Sequence, residues 1–248
     1  MTGVAIVSGA SRGIGAATAT LLAERGWDVA VGYRRQTEAA HSVAATCRSF
    51  GRRAITVPVD VSSEEAVVGF FSTVDRELGP PAALVNCAGI VDQKSRLDAF
   101  TAARLQRMFA VNVLGSFLCA REAVRRMSRE HGGSGGAIVN LSSAASRLGS
   151  PGEYIDYAAS KGAIDTMTIG LAREVADEGI RVNAVRPGLV NTDIHASGGQ
   201  PDRLERLTPL IPMGRVGEAQ EVAHAVVWLC SDEASYVTGA LIDVSGGR

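Results

Sequence analysis

An alternating α/β fold is what this sequence predicts: one domain over residues 1–248, with a doubly wound, seven-stranded parallel sheet and helices on both faces. Three observations predict it. Short apolar runs rich in Val, Ile and Ala alternate with longer helical patterns. The first run leads directly into a glycine-rich turn that opens a helix. The composition, 46% hydrophobic but only 5% aromatic, describes a core of Val, Ala, Ile and Leu, as in sheets buried on both faces.

Taken in order, the first strand is Val4–Val7, and the turn Ser8-Gly9-Ala10-Ser11-Arg12-Gly13-Ile14-Gly15 starts a helical pattern over 13–25. The second strand is Asp28–Val31 and the third Ala54–Val57. Ser62-x-x-Glu65 then reads as a capping box for a helix over 64–78. A fourth strand, Ala83–Val85, precedes a long helical pattern over 103–131. The Gly/Ser-rich stretch 131–136 reads as an exposed connection to the fifth strand, Ala137–Leu141. Residues 144–153 connect that strand to a helix over 155–174, followed by a sixth strand at Arg181–Val185. Residues 187–212 are the longest irregular stretch, and that length marks 188–212 as a substrate lid. The seventh strand is Ala240–Val244, and neither a domain linker nor an internal repeat interrupts the series.

Composition narrows the function. A net charge of −1 offers no electrostatic footprint for nucleic acid or a membrane surface. No apolar run approaches the ~18 residues of a membrane span. Four cysteines, Cys47, Cys87, Cys119 and Cys230, lack metal-binding spacing and read as reduced thiols, and the histidines form no metal constellation. The N-terminal residues lack a secretory pattern, so the expected location is the cytoplasm.

Chemistry concentrates at two places. The glycine turn has a strand before it and a helix after it, the context in which backbone approaches a pyrophosphate and helix N–H groups meet the anion. Gly9, Ser11, Arg12, Gly13, Ile14 and Gly15 are its candidate cofactor contacts. The second strand ends Tyr33-Arg34-Arg35 without the carboxylate that a free ribose 2′-hydroxyl would use. Arg34, with Arg12, can instead pair with a 2′-phosphate, which predicts NADP(H) over NAD(H). Asp60 and Val61 are candidates beside the adenine, and Asn86, Ala88 and Gly89 beside a ribose. The second place is Tyr157-Ala-Ala-Ser-Lys161, whose i, i+4 spacing puts phenol and ammonium on one helix face. A nearby ammonium is expected to lower the phenol from its ordinary pKa of about 10, so that Tyr157 exchanges a proton with an alcohol oxygen near neutrality.

Together these motifs resemble the short-chain dehydrogenase/reductase family, in its branch of roughly 250 residues, almost end to end. The glycine turn is similar to the family's TGxxxGxG pattern with Ser8 for Thr, and Asn86-Cys87-Ala88-Gly89 to its NNAG pattern with Cys87 for the second Asn. That second replacement removes an amide that usually braces the sheet. The resemblance implies a Rossmann fold and catalytic roles for Asn112, Ser143, Tyr157 and Lys161. Tyr157 would be the general acid and base. Lys161 would tune it and hold the nicotinamide ribose. Ser143, rather than its neighbour Ser142, would bind the substrate oxygen, and Asn112 would position a relay water. Pro187, Gly188, Val190 and Thr192 correspond to the segment over the nicotinamide, and Thr238-Gly239 to the entry of the last strand.

The implied activity is an NADP(H)-dependent carbonyl reductase or alcohol dehydrogenase of small molecules. A sugar or polyol, a 3-oxoacyl thioester and a generic ketone compete as substrate. A non-catalytic, NADP(H)-binding regulatory or redox-sensing protein is the alternative. The resemblance also implies a homotetramer or homodimer. Asp156 reads as a first-turn acid complementing the helix dipole. Glu153 and His195 are candidates for substrate contact. Arg125, Arg126, Arg129 and Arg173 read either as a basic patch for a carrier protein or as a solvated face.

Overall fold

The computed structural model describes residues 2–194, 198–200 and 202–248. Its centre is a seven-stranded sheet in the order β3-β2-β1-β4-β5-β6-β9, every neighbour parallel. The strands are β1 (Val4–Ser8), β2 (Asp28–Tyr33), β3 (Ala54–Pro58), β4 (Pro81–Asn86), β5 (Gly136–Leu141), β6 (Ile180–Pro187) and β9 (Leu241–Val244). A separate two-stranded ribbon pairs β7 (Val190–Asn191) with β8 (Gly217–Glu218). The seven sheet strands are those expected from the sequence, and the expected fold class holds.

Alternation along the strands builds a core on each face. Ala5, Val7, Val29, Val31, Ala83 and Val85 face one side, where they meet α1 (Gly13–Glu24), α2 (Thr37–Ser49) and α9 (Ala219–Cys230). Val4, Ile6, Ala30 and Leu84 face the other, against α3 (Glu64–Glu77), α5 (Gly115–Met127) and α7 (Ile155–Glu174). Small aliphatic side chains suit this design because each strand must be apolar on both faces.

Three local expectations change. The helix pattern over 103–131 is not continuous: α4 (Ala102–Phe109) and α5 are separated by a π-helical turn at Ala110–Leu114, and a 3-10 turn at Arg129–His131 follows. The wider turn carries Asn112, whose amide is held from outside the helix, exchanging hydrogen bonds with Ile90 N and O and donating to Ser160 Oγ. The cap of α3 is Ser63, which accepts from Ala66 N, while Ser62 donates to Asp60 Oδ1 at 2.6 Å. Residues 144–153 include a short helix, α6 (Ala145–Leu148), and the later part of the expected lid holds α8 (Arg203–Leu207).

Strand order reverses between β2 and β4 around β1, so the crevice of this doubly wound sheet opens at the carboxyl ends of β1 and β4. Ser8 and Asn86 are register partners there. The Ser8 hydroxyl accepts from the backbone N–H groups of Cys87 and Ala88, each at 3.1 Å. The sheet's amide brace comes from Asn86 Nδ2, which donates to Asn140 Oδ1 at 3.0 Å and to Ser116 O.

Candidate active site

A cleft of about 500 Å³ lies over this crevice. It brings together Gly9, Arg12, Gly13, Ile14 and Gly15 with Gly89, Ser143, Tyr157, Lys161, Pro187, Gly188, Val190 and Thr192. Ser11, Arg34, Asp60, Val61, Asn86, Ala88 and Asn112 are not part of its lining. Of these, Asn86 and Asn112 are buried braces. Arg34 and Asp60 stand beyond the ends of β2 and β3, joined by an ion pair at 2.8 Å.

The glycine turn has the geometry a dinucleotide needs. Gly9 has φ +67°, and a Cβ there would lie 2.7 Å from Ala88 Cα, so only glycine lets β1 approach β4 so closely. A Cβ on Gly15 would come within 2.4 Å of Gly9 O. The N-terminus of α1 carries no side-chain cap and no acidic residue in its first turn, leaving its N–H groups for an anion. These residues fit a nicotinamide dinucleotide.

The stretch expected to form a lid meets the rest of the chain at two places. Near the glycine turn, Thr192 Cγ2 lies 3.3 Å from where a Gly13 Cβ would be, and Arg12 pairs with Asp193 at 3.7 Å. At the other end the Tyr154 hydroxyl donates to Gly198 O at 3.0 Å and accepts from Gln200 Nε2. His195 lies outside the described residues.

At the centre, the Ser143 hydroxyl is close enough to the Tyr157 phenol to favour its ionised form. Ser142 also lines the cleft, but its hydroxyl donates to Lys161 O from a buried position, and of the two adjacent serines it is Ser143 that acts on the phenol. Lys161 Nζ donates to Leu141 O at 2.6 Å and lies 5.6 Å from the centre of the Tyr157 ring. A Gly89 Cβ would stand 3.5 Å from Asn112 Oδ1 and 3.7 Å from Lys161 Nζ, so the missing side chain keeps open the space between them.

The electrostatics differ from the simple expectation for the Tyr–Lys pair. Burial dominates and pushes the Tyr157 phenol up. The groups working against burial are the Ser143 hydroxyl and, through its charge, the Arg203 guanidinium. Burial also pulls the Lys161 ammonium down to about 8, with the fields of Cys87 and Asp165 opposing it. The Lys161 ammonium is turned toward Leu141 O rather than toward the phenol oxygen's partners Ser143 and Arg203.

Two acids have partners that the sequence alone did not disclose. Asp156 stands in the first turn of α7, as expected, and is also buried, where it accepts from both Nε and Nη2 of Arg104. Glu153 lines the cleft and is paired with Arg203 and Arg206, each at 3.0 Å. Arg203, Tyr154 and Arg248, none singled out from the sequence, also line it; no local pattern marks them, because they come together from three separate parts of the chain. Arg125 and Arg126 are tied to Glu122, and Arg126 also to Asp75, which accounts for them as a paired surface network. Among the described residues no cluster of acids, histidines and cysteines could hold a metal, and no helix is long and apolar enough to cross a membrane.

A family model described as enoyl-(acyl carrier protein) reductase matches residues 9–248. An Escherichia coli protein described as the uncharacterized oxidoreductase YgfF is 56% identical over 245 residues, 99% of each chain. An Arabidopsis thaliana protein described as an NADPH-dependent aldehyde reductase-like chloroplastic protein is 38% identical, covering 98% of this chain and 93% of its own. Among solved structures, a short-chain dehydrogenase/reductase of Serratia marcescens superposes with a TM-score of 0.91 at 32% identity, over 99% of this chain and 97% of its own.

Proposed function

The chain belongs to the short-chain dehydrogenase/reductase family of oxidoreductases, which work with a nicotinamide cofactor, and from this premise we propose that it interconverts a small-molecule carbonyl and its alcohol using NADP(H). The observation that carries the proposal is that Ser143, Tyr157 and Lys161 line the same cleft as the glycine turn.

A bound nicotinamide would supply the hydride to the carbonyl carbon in reduction and accept it in oxidation. Tyr157 delivers one proton to the carbonyl oxygen in reduction and takes it back in oxidation, so each hydride is matched by one proton. Burial suits the phenol to remain protonated, as a donor must be before transfer. Ser143 donates to the same oxygen and stabilises charge developing there. Lys161 would hold the nicotinamide ribose, and Asn112 holds the π-helical turn against the loop at Ile90. Pro187, Gly188, Val190 and Thr192 form the wall against which a nicotinamide would rest.

The preference for NADP(H) rests on Arg34. Its guanidinium is half exposed at the end of β2, where it is held by Asp60. A 2′-phosphate arriving there would meet an oriented cation and compete with Asp60 for it, while the strand end Tyr33-Arg34-Arg35 itself carries no carboxylate. The Arabidopsis relative, described as NADPH-dependent, supports the same reading. A cytoplasmic homotetramer or homodimer completes the proposal: Phe109, Leu114 and Phe117 are exposed along the π-turn and α5, an apolar strip a second copy could cover.

The test is the loss of nicotinamide absorbance with NADPH or NADH against a panel of ketones, aldoses and acyl thioesters. Turnover with a higher kcat/KM for NADPH is the expected result. Equal or better turnover with NADH would remove the cofactor preference. NADPH binding with no turnover across the panel would favour the regulatory alternative.

A further inference from the structure

Resting on that reading of the cleft, we propose that the substrate carries a carboxylate, and that Arg203 binds it while Ser143 and Tyr157 engage the carbonyl. Arg203 opens α8 and lines the cleft opposite the glycine turn. Its side chain is only 14% exposed, and its guanidinium sits 4.9 Å from the centre of the Tyr154 ring. That cation–π contact holds the guanidinium over the ring. Tyr154 is itself held by Gly198 O and Gln200, so the platform under the arginine is rigid.

The guanidinium is oriented but underused. Its Nη1 meets Glu153 Oε2 at 3.0 Å, while its Nε is buried and, among the described residues, has no hydrogen-bond partner. A buried donor left unpaired is costly, and a planar guanidinium fork matches a planar carboxylate.

Nor does Glu153 neutralise its surroundings. The one carboxylate is shared by Arg203, Arg206 and Lys94. The Arg248 side chain adds to the same cluster, because it lines the cleft and feels the charges of both Arg203 and Glu153. Lining the whole cleft are four basic residues (Arg12, Lys161, Arg203, Arg248) and two acidic ones (Glu153, Asp193), a positive balance in a cavity that must also admit substrate. Leu148, Pro151 and Leu207 line the cleft with Arg203 and offer apolar surface for a hydrocarbon skeleton. The Arg203 charge also reaches the Tyr157 phenol, so a carboxylate bound to the arginine would lie in the same chamber as the proton donor.

The experiment compares matched pairs, 4-oxopentanoate, benzoylformate and 4-acetylbenzoate each beside its methyl ester, with NADPH. For at least one pair the wild-type enzyme is expected to prefer the acid by about tenfold or more in kcat/KM. Arg203→Gln should bring that acid-to-ester ratio down to about one, and Arg203→Lys, which keeps the charge but loses the planar fork, should retain only part of the preference. The wild-type ratio needs no variant, so the proposal stays falsifiable if Arg203→Gln does not fold. Esters used as well as acids in every pair, or a ratio unmoved by Arg203→Gln, would overturn it. Reduction of uncharged ketones with none of the acids used removes the carboxylate alone. No reduction of any carbonyl removes the hydride-transfer reading, and this inference with it.

Discussion

Arg104 grips Asp156 at two points, Nε to Oδ2 at 2.7 Å and Nη2 to Oδ1 at 3.1 Å, one residue before Tyr157. Arg104 also donates to Gln93 O at 2.7 Å and lies 3.9 Å from the centre of the Phe100 ring. The pair therefore ties α4 and the loop after β4 to the first turn of α7, the turn that carries the phenol. Removing one partner leaves a buried charge uncompensated, at a cost of about 3–5 kcal/mol. Asp156→Ala is expected to lower Tm by roughly 10 °C and to reduce kcat more than it raises KM, because the displaced group is the proton donor. Calorimetry with steady-state kinetics checks both, and an unchanged Tm would show that the pair is dispensable.

Tyr157→Phe removes the hydroxyl and leaves the ring that fills the cleft. Turnover in both directions should fall by about a thousandfold or more, while NADPH binding, followed by fluorescence, stays close to wild type. Hydride exchange at wild-type rates in this variant would end the mechanistic proposal.

On the NADP(H) reading, Arg34→Ala should reduce kcat/KM with NADPH by about 10- to 100-fold and leave NADH nearly unaffected, since of the two cofactors only NADPH would bring a 2′-phosphate to this side chain. Asp60→Asn frees the same guanidinium from its ion pair and is expected to shift the ratio modestly toward NADPH. Equal losses with both cofactors in Arg34→Ala would mean that the arginine supports the fold rather than the phosphate.

Lys161 gives a pH signature of known sign. Burial takes its pKa from the ordinary 10.5 to about 8, so between those values the unfolded chain holds a proton that the folded chain has released. The fold therefore gains stability from this group as pH rises through that window. Above 9.0 the buried thiols act oppositely, since Cys87 is pushed up to about 11 and Cys119 to about 12, and they stay protonated only while folded. Comparison with Lys161→Met isolates the lysine: in urea unfolding, wild type should gain on the variant from pH 8 to 10. Parallel curves would place the ammonium in a solvated setting.

Much of the architecture was legible because it depends on short-range rules. Alternating Val, Ile and Ala runs can be buried on both faces, and a turn such as Ser8–Gly15 demands glycine wherever φ is positive or backbones nearly touch. The i, i+4 spacing likewise puts Tyr157 and Lys161 on one side of α7 without reference to the rest of the chain. The π-turn at Ala110–Leu114 was not legible, because the bonds that hold Asn112 come from Ile90 and Ser160, 22 and 48 residues away.

The chain order of residues thus determined the strands, the glycine cradle and the identity of the titratable groups. Tertiary packing alone decided their chemistry. It buried Asp156 with Arg104 across 52 residues, turned Ser143 rather than Ser142 toward the phenol, and brought Arg203 to Glu153. It also reversed the expected shift of Tyr157, because the cost of placing charge away from water depends on what surrounds a group in space, and spacing along the chain does not report that.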